Sequence, residues 1–292
     1  MSTPPSRDVA AQVRALGREI LPAVPGSQAI YAGEQETEPY AGVEVVRDAA
    51  YGPHPRHRLD VFAAPAAGGP RPVVLFVHGG GFVMGDKRQP GSPYNDNVAL
   101  WAVRHGLVGV NMTYRLAPEF KYPSGSEDIA AAVAWIREHA AEFGGDPGRI
   151  VLLGTSAGAV HVATFLAQPM FDAARAGVAA GVLLSGVYDL SGATPEEVSS
   201  AYYGEDAGQY ARMSSLPGLL ESRVPLLFVI TEFDPAMFEE QALRVIQAWS
   251  ARHGHWPNLI RMTGHNHLTS TMHMNTADDY LGGQIMRLLD GA

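Results

Sequence analysis

The sequence predicts an α/β protein, a single domain of 292 residues built on a mostly parallel β-sheet with helices on both faces. Three observations carry this expectation. Short apolar runs rich in Val, Ile and Leu recur at residues 73–77, 107–112, 150–153, 181–184 and 226–230. They do not alternate with polar residues, as expected of strands buried on both faces. Between them lie stretches with helical spacing, for instance 126–143 and 157–166, and strands alternating with helices build parallel sheets. No internal repeat, low-complexity segment or linker divides the chain.

The first forty or so residues differ from the rest. Val9, Val13, Leu16, Ile20 and Leu21 fall at helical spacing, and a Pro- and Gly-containing stretch follows at 22–33. A packing helix at the domain edge is the plainer reading; a cap over a functional site is the alternative. Residues 43–47 and 58–62 read as an early hairpin, with Gly52 and Pro53 in the turn.

Composition narrows the function classes. With 46% hydrophobic and 17% charged residues the chain can bury a sizeable core. A net charge of −9 argues against nucleic acid and anionic membrane surfaces as partners. There is no cysteine, which excludes disulfides, thiolate metal sites and a cysteine nucleophile. No apolar run approaches the ~20 residues of a membrane span, and no leader pattern is seen, so a cytoplasmic protein is expected.

The run at 150–153 leads directly into Gly154-Thr155-Ser156-Ala157-Gly158, followed by a helical stretch. This is the strand–turn–helix setting of a G-x-S-x-G elbow, in which a serine on a sharp turn forces small residues two positions away on either side. Ser156 is thereby the candidate nucleophile. Upstream, the run at 73–77 ends in His78-Gly79-Gly80-Gly81-Phe82. Successive glycines at a strand end let backbone N–H groups converge, as an oxyanion requires, and the N–H of Ala157 would complete the set. The loop lacks the Gly-Lys-Ser/Thr ending of a phosphate loop and the spacing of a dinucleotide site. His78 reads as a residue that shapes this loop.

In hydrolases whose fold carries such an elbow the acid follows the nucleophile and the histidine comes last. The run at 226–230 leads to Thr231-Glu232-Phe233-Asp234-Pro235, which places Asp234 at a strand's carboxyl end. Glu232 and Asp189 are the competitors, Asp189 reading as a loop cap. The base lies in Gly264-His265-Asn266-His267-Leu268, where His265 and His267 both qualify and His273 follows. No carboxylate or cysteine set accompanies them, so no metal and no cofactor are expected. His161 reads as a packed helix residue.

On these residues the chain resembles the hormone-sensitive-lipase-like carboxylesterases of the α/β-hydrolase superfamily. The matching stretches are HGGGFVMG at 78–85, YRLAPE at 114–119, GTSAGA at 154–159 and Glu232-Phe233-Asp234-Pro235. On physical grounds YRLAPE can be given only a turn role. Ser185-Gly186-Val187-Tyr188-Asp189-Leu190 looks like the related feruloyl-esterase and arylformamidase branch. The resemblance implies a triad of Ser156, Asp234 and His267, because His267-Leu268-Thr269 fits the family's histidine pattern better than His265-Asn266-His267. It assigns oxyanion donors to Gly80 and Gly81. Two departures stand out: Thr155 precedes the nucleophile where Asp or His is usual, and GHNHLT replaces the commoner His-Gly-Phe.

The implied activity is hydrolysis of small or medium carboxylic esters through an acyl-enzyme, with a small-molecule ester as partner. An arylformamidase-like amide hydrolase and an inactive binding module of the same fold are the alternatives. Phe82, Met84, Tyr114, Tyr202, Tyr203 and Phe233 are expected to line the pocket. No long apolar lid insertion suited to aggregated fat is visible. The sequence does not choose between a monomer and a homodimer.

Overall fold

The computed structural model describes residues 5–65, 68–195 and 199–291. Eight strands form one sheet: β1 Glu44–Ala50, β2 Arg58–Ala63, β3 Arg71–Val77, β4 Val108–Met112, β5 Gly145–Thr155, β6 Val178–Leu184, β7 Leu226–Phe233 and β8 Leu259–Asn266. Their order is β1-β2-β4-β3-β5-β6-β7-β8. β2 runs antiparallel to both β1 and β4, as the early hairpin predicts, and every pairing from β4 to β8 is parallel.

Burial on both faces accounts for the unalternating runs. Val73, Leu75, Val77, Ile150 and Leu152 pack on one face against helices α4 (Ser124–His139) and α5 (Ala157–Ala167), through Ile129, Val133, Val162 and Phe165. Val74, Phe76, Val151 and Leu153 point to the other face. There they meet Val98, Trp101 and Ala102 of α3 (Asp96–Arg104) and Leu281 and Ile285 of the C-terminal helix Tyr280–Leu289. Each parallel strand thus needs apolar residues in both registers, and the α/β expectation holds. Among the described residues no helix is long and apolar enough to cross a membrane.

Two elements depart from the sequence reading. Residues 20–32 form helix α2 (Ile20–Ala32), not an irregular Pro/Gly stretch. Pro22 stands in the first turn, where its missing N–H costs nothing, and Pro25 forfeits one bond to the Leu21 carbonyl near the exposed start. The histidine-bearing segment begins inside β8, so His265 lies on a strand and only His267 lies beyond it. β8 pairs with β7 alone, and its residues 259–262 mix apolar and charged types, so it lacks the continuous apolar signature of the inner strands.

The N-terminal helices pack over the β7–β8 side of the sheet. Helix α1 (Arg7–Ala15) is capped by Ser6, whose Oγ accepts from the Val9 N–H at 3.3 Å. Arg14 reaches Glu232 at 3.7 Å, and Arg18 donates to the Asp234 backbone carbonyl at 2.6 Å and to Glu239 at 3.1 Å.

Candidate active site

The motifs found in the sequence converge at the carboxyl ends of the parallel strands β3 to β8. Ser156 follows β5 and adopts φ 53° and ψ −122°, a conformation that costs a non-glycine residue on the order of 1–3 kcal/mol. The turn is secured by the Ser156 N–H, which donates to the Leu184 carbonyl at 2.8 Å. It is also made possible by crowding. A Cβ on Gly158 would lie 2.1 Å from the Val77 carbonyl oxygen, so only glycine lets α5 start this close to β3. Ala157 opens α5, and its N–H is among the four that a helix start leaves without an intrahelical partner.

The glycine loop lies directly against this turn. A Cβ on Gly79 would stand 3.2 Å from the Ser156 Cβ. The Gly80 carbonyl accepts from Val83 and Met84, at 3.2 and 3.1 Å, and folds the loop into a tight turn. Gly80 sits at φ 131°, and a Cβ there would come within 2.0 Å of the Met84 carbonyl oxygen.

The loop rests on a buried aromatic layer. The His78 ring stacks on Tyr114 at 4.3 Å between centroids, and the Tyr114 hydroxyl donates to the His78 carbonyl at 2.9 Å. The Ala117 N–H donates to the Phe82 carbonyl at 3.0 Å. Arg115 binds Asp128 through Nε at 2.8 Å. YRLAPE is therefore the brace beneath the glycine loop, a role beyond the turn that the sequence suggests. Phe82 stacks on Tyr202 at 4.4 Å, with His161 edge-on at 5.4 Å.

Burial holds the two histidines of this layer uncharged. His78 is pushed down to about 4 and His161 to about 3, desolvation being the main cause in both. An unfolded histidine takes its proton near ~6.5, so between that value and about 4 the unfolded chain binds more protons. Stability is then full above about pH 6.5 and is lost as pH falls, by roughly 3 kcal/mol from His78 alone. The thermal unfolding midpoint should hold steady down to about pH 6.5 and drop steeply below it. A midpoint unchanged at about pH 4.5 would contradict this.

Asp234 follows β7 and is fully buried. Its Oδ1 accepts from His267 Nδ1 at 2.8 Å, and its Oδ2 accepts from the Thr231 N–H and from Ser185 Oγ, each at 2.7 Å. The His267 ring stacks on Phe238 at 4.5 Å. Its Nε2 has no hydrogen-bond partner among the described residues, and the ring borders the same cavity as Ser156.

The carboxylate rivals are bonded elsewhere, and the rival histidine does not border the cavity. Glu232 accepts from the Gly264 N–H at 2.7 Å. Asp189 caps its own loop through the Ser191 N–H and pairs with Arg244 at 3.2 Å. His265 is fully buried against His273, 3.4 Å from Asp278, which in turn accepts from Tyr31 of α2 at 3.0 Å.

Ser156 and His267 open on a cavity of about 610 Å³, bordered also by Gly79, Gly80, Gly81 and Ala157. Of the six residues expected to line it, Phe82, Met84 and Tyr203 do, and Tyr114, Tyr202 and Phe233 do not. Tyr114 and Tyr202 lie in the buried layer below, at 0% and 1% exposure. Phe233 instead faces Arg14, whose guanidinium sits 5.7 Å from its ring centroid. The opposite wall comes from α2, through Ile20, Leu21, Val24 and Gln28.

Sequence reasoning missed the contacts of Ser185 and Arg18, and it offered the α2 wall only as the alternative reading, a cap over a functional site. For Ser185 the signal was its place as first residue after β6, beside the strand that carries the acid. For α2 the apolar spacing was visible, and the two prolines masked its continuation.

A family model described as alpha/beta hydrolase fold matches residues 74–267. Among curated relatives, Esterase LipQ of Mycobacterium tuberculosis is 31% identical over 242 residues, which cover 79% of this chain and 54% of LipQ. Carboxylesterase NlhH from the same organism is 45% identical over 98 residues, 33% of this chain and 29% of NlhH. The chain thus spans about half the length of LipQ and less of NlhH. Among solved structures, Esterase B from Lactobacillus rhamnosis gives a TM-score of 0.73 at 17% identity, covering 98% of this chain and 96% of its own. A thermostable esterase from Pseudomonas putida gives 0.67 at 21% identity, covering 99% and 96%. At those identities the likeness concerns the fold.

Proposed function

The chain belongs to the α/β-hydrolase family, in its hormone-sensitive-lipase-like group, and on that premise we propose that it is a serine carboxylesterase acting through an acyl-enzyme on Ser156. The observation that carries the reading is the His267 ring: bonded at Nδ1 to buried Asp234, unpartnered at Nε2, and sharing a cavity with Ser156. In this reading Nε2 takes the Ser156 proton as the oxygen attacks the ester carbonyl, and Asp234 fixes the tautomer that makes this possible. The N–H groups of Gly80, Gly81 and Ala157 receive the oxyanion, and the start of α5 adds the positive end of its dipole. The alcohol leaves with the proton from His267. Water then attacks the acyl-enzyme, with the same ring as base.

The cavity suits a small or medium ester with apolar groups, since its walls include Ile20, Val24, Phe82, Val160, Phe238 and Leu268. The test is turnover of p-nitrophenyl esters from acetate to decanoate, set beside N-formyl anilides, with Ser156→Ala as control. Ester hydrolysis that disappears in the control is expected. Turnover of the formanilide alone would shift the assignment to an amide hydrolase, and turnover of neither would remove the enzyme reading.

A further inference from the structure

Ser185 occupies a position that the triad chemistry leaves unassigned. It is the first residue after β6, it is 1% exposed, and its backbone stands at φ 47° although it is not glycine. Its N–H donates to the Val229 carbonyl of β7 at 2.8 Å, and its Oγ donates to Asp234 Oδ2 at 2.7 Å. A serine held in the left-handed region next to a functional carboxylate carries backbone strain that a glycine there would avoid.

We propose that Ser185 is a positioning residue for the acid of the triad, orienting the Asp234 carboxylate so that Oδ1 alone faces His267. The inference rests on the reading of Ser156, Asp234 and His267 as the catalytic set. The geometry divides the work between the two oxygens. Oδ2 is held by the Thr231 N–H and the Ser185 hydroxyl, and Oδ1 is left to the imidazole. With Oδ2 held by the Thr231 N–H alone, the carboxylate rotates more freely about its Cβ–Cγ bond, which loosens the tautomer of His267. The hydroxyl also withdraws charge from the carboxylate, so its loss makes Asp234 the stronger acceptor for a protonated His267. The other titratable or charged groups facing Asp234 are Arg18, which donates to its backbone carbonyl, and Tyr188, a fully buried neutral phenol on the same side as Ser185. Neither hydrogen-bonds to the carboxylate oxygens, and Ser185 is the only side-chain hydroxyl bonded to them among the described residues.

The substitution Ser185→Gly separates this role from a structural one. It removes the hydroxyl and relieves the positive φ, so relieved strain offsets part of the lost hydrogen bond and the fold should persist. Thermal unfolding and the pH dependence of kcat/KM for a p-nitrophenyl ester are the readouts, with Ser185→Ala as the second variant should added freedom in the glycine chain blur the first. For both variants kcat should fall about 10- to 100-fold with KM little changed, and the acidic limb of the profile should move to higher pH. A Ser185→Gly protein of wild-type stability with wild-type kcat and an unmoved limb would overturn the inference while leaving the triad intact. If the wild-type protein turns over no ester, the catalytic reading falls and the inference falls with it.

Discussion

Replacing His267 by alanine is expected to lower kcat for a p-nitrophenyl ester by about 10⁴-fold or more, with KM changed little. The Nδ1 of His267 is committed to Asp234, its face rests on Phe238, and its Nε2 has no hydrogen-bond partner among the described residues while the ring borders the same cavity as Ser156. Without the ring the hydroxyl of Ser156 must lose its proton to water, and the residual rate comes from the oxyanion donors and from binding. The cavity wall is otherwise retained, so binding persists. His265→Ala supplies the contrast. That ring is fully buried against His273 and Asp278 and does not border the cavity, so its removal should lower the unfolding midpoint by several degrees while the folded enzyme keeps kcat within about tenfold. Steady-state kinetics beside thermal melts on the two variants check both halves. Equal losses of kcat would mean that the histidine loop acts as a unit and that His267 has no separate role.

The second large effect is expected at Gly80. Its φ of 131° is closed to side-chain-bearing residues, and an alanine Cβ would meet the Met84 carbonyl oxygen at 2.0 Å. Both atoms belong to the tight turn of the glycine loop, so relief must come from movement of the loop itself. Donors displaced by even a fraction of an ångström no longer match the position of the oxyanion, and loss of one donor in such a hole costs about 10²–10³ in kcat. Gly80→Ala should therefore fall in that range with KM less affected. Gly81→Ala should cost less. Its φ of 58° lies where L-residues are tolerated at modest expense, and nothing stands within 4 Å of the added methyl. Reversal of this order in kcat would place the functional donors elsewhere in the loop.

How much of this was legible in the sequence depends on whether the determinant was local. The inner strands declared themselves because burial on both faces demands apolar residues in both registers, as at residues 150–153 and 226–230. The elbow and the glycine loop were legible for a similar reason. Close approach of α5 to β3 at Gly158 admits only hydrogen as a side chain, a Cβ on Gly80 would lie 2.0 Å from the Met84 carbonyl oxygen, and such positions leave a fixed signature. Asp234 followed from its place after a recognisable strand. The choice between His265 and His267 did not follow from physics alone, since it turns on where β8 ends, and β8 is an edge strand without a continuous apolar run. Tyr114 and Tyr202 were expected on the pocket wall and form the layer beneath it. An aromatic residue near a motif in sequence carries no information on which side of the loop it packs. The contact of Arg18 with the Asp234 carbonyl joins segments far apart in the chain, and a single sequence holds no local trace of it.

The central claim is that Ser156 is a nucleophile activated by His267 and Asp234. Its most direct test is intact-mass measurement after exposure to an alkyl fluorophosphonate, followed by peptide mapping. One adduct per chain is expected, on the peptide that carries Ser156, absent in Ser156→Ala and formed far more slowly in His267→Ala. A wild-type protein that takes up no label, or one labelled equally well after Ser156→Ala, would contradict the account.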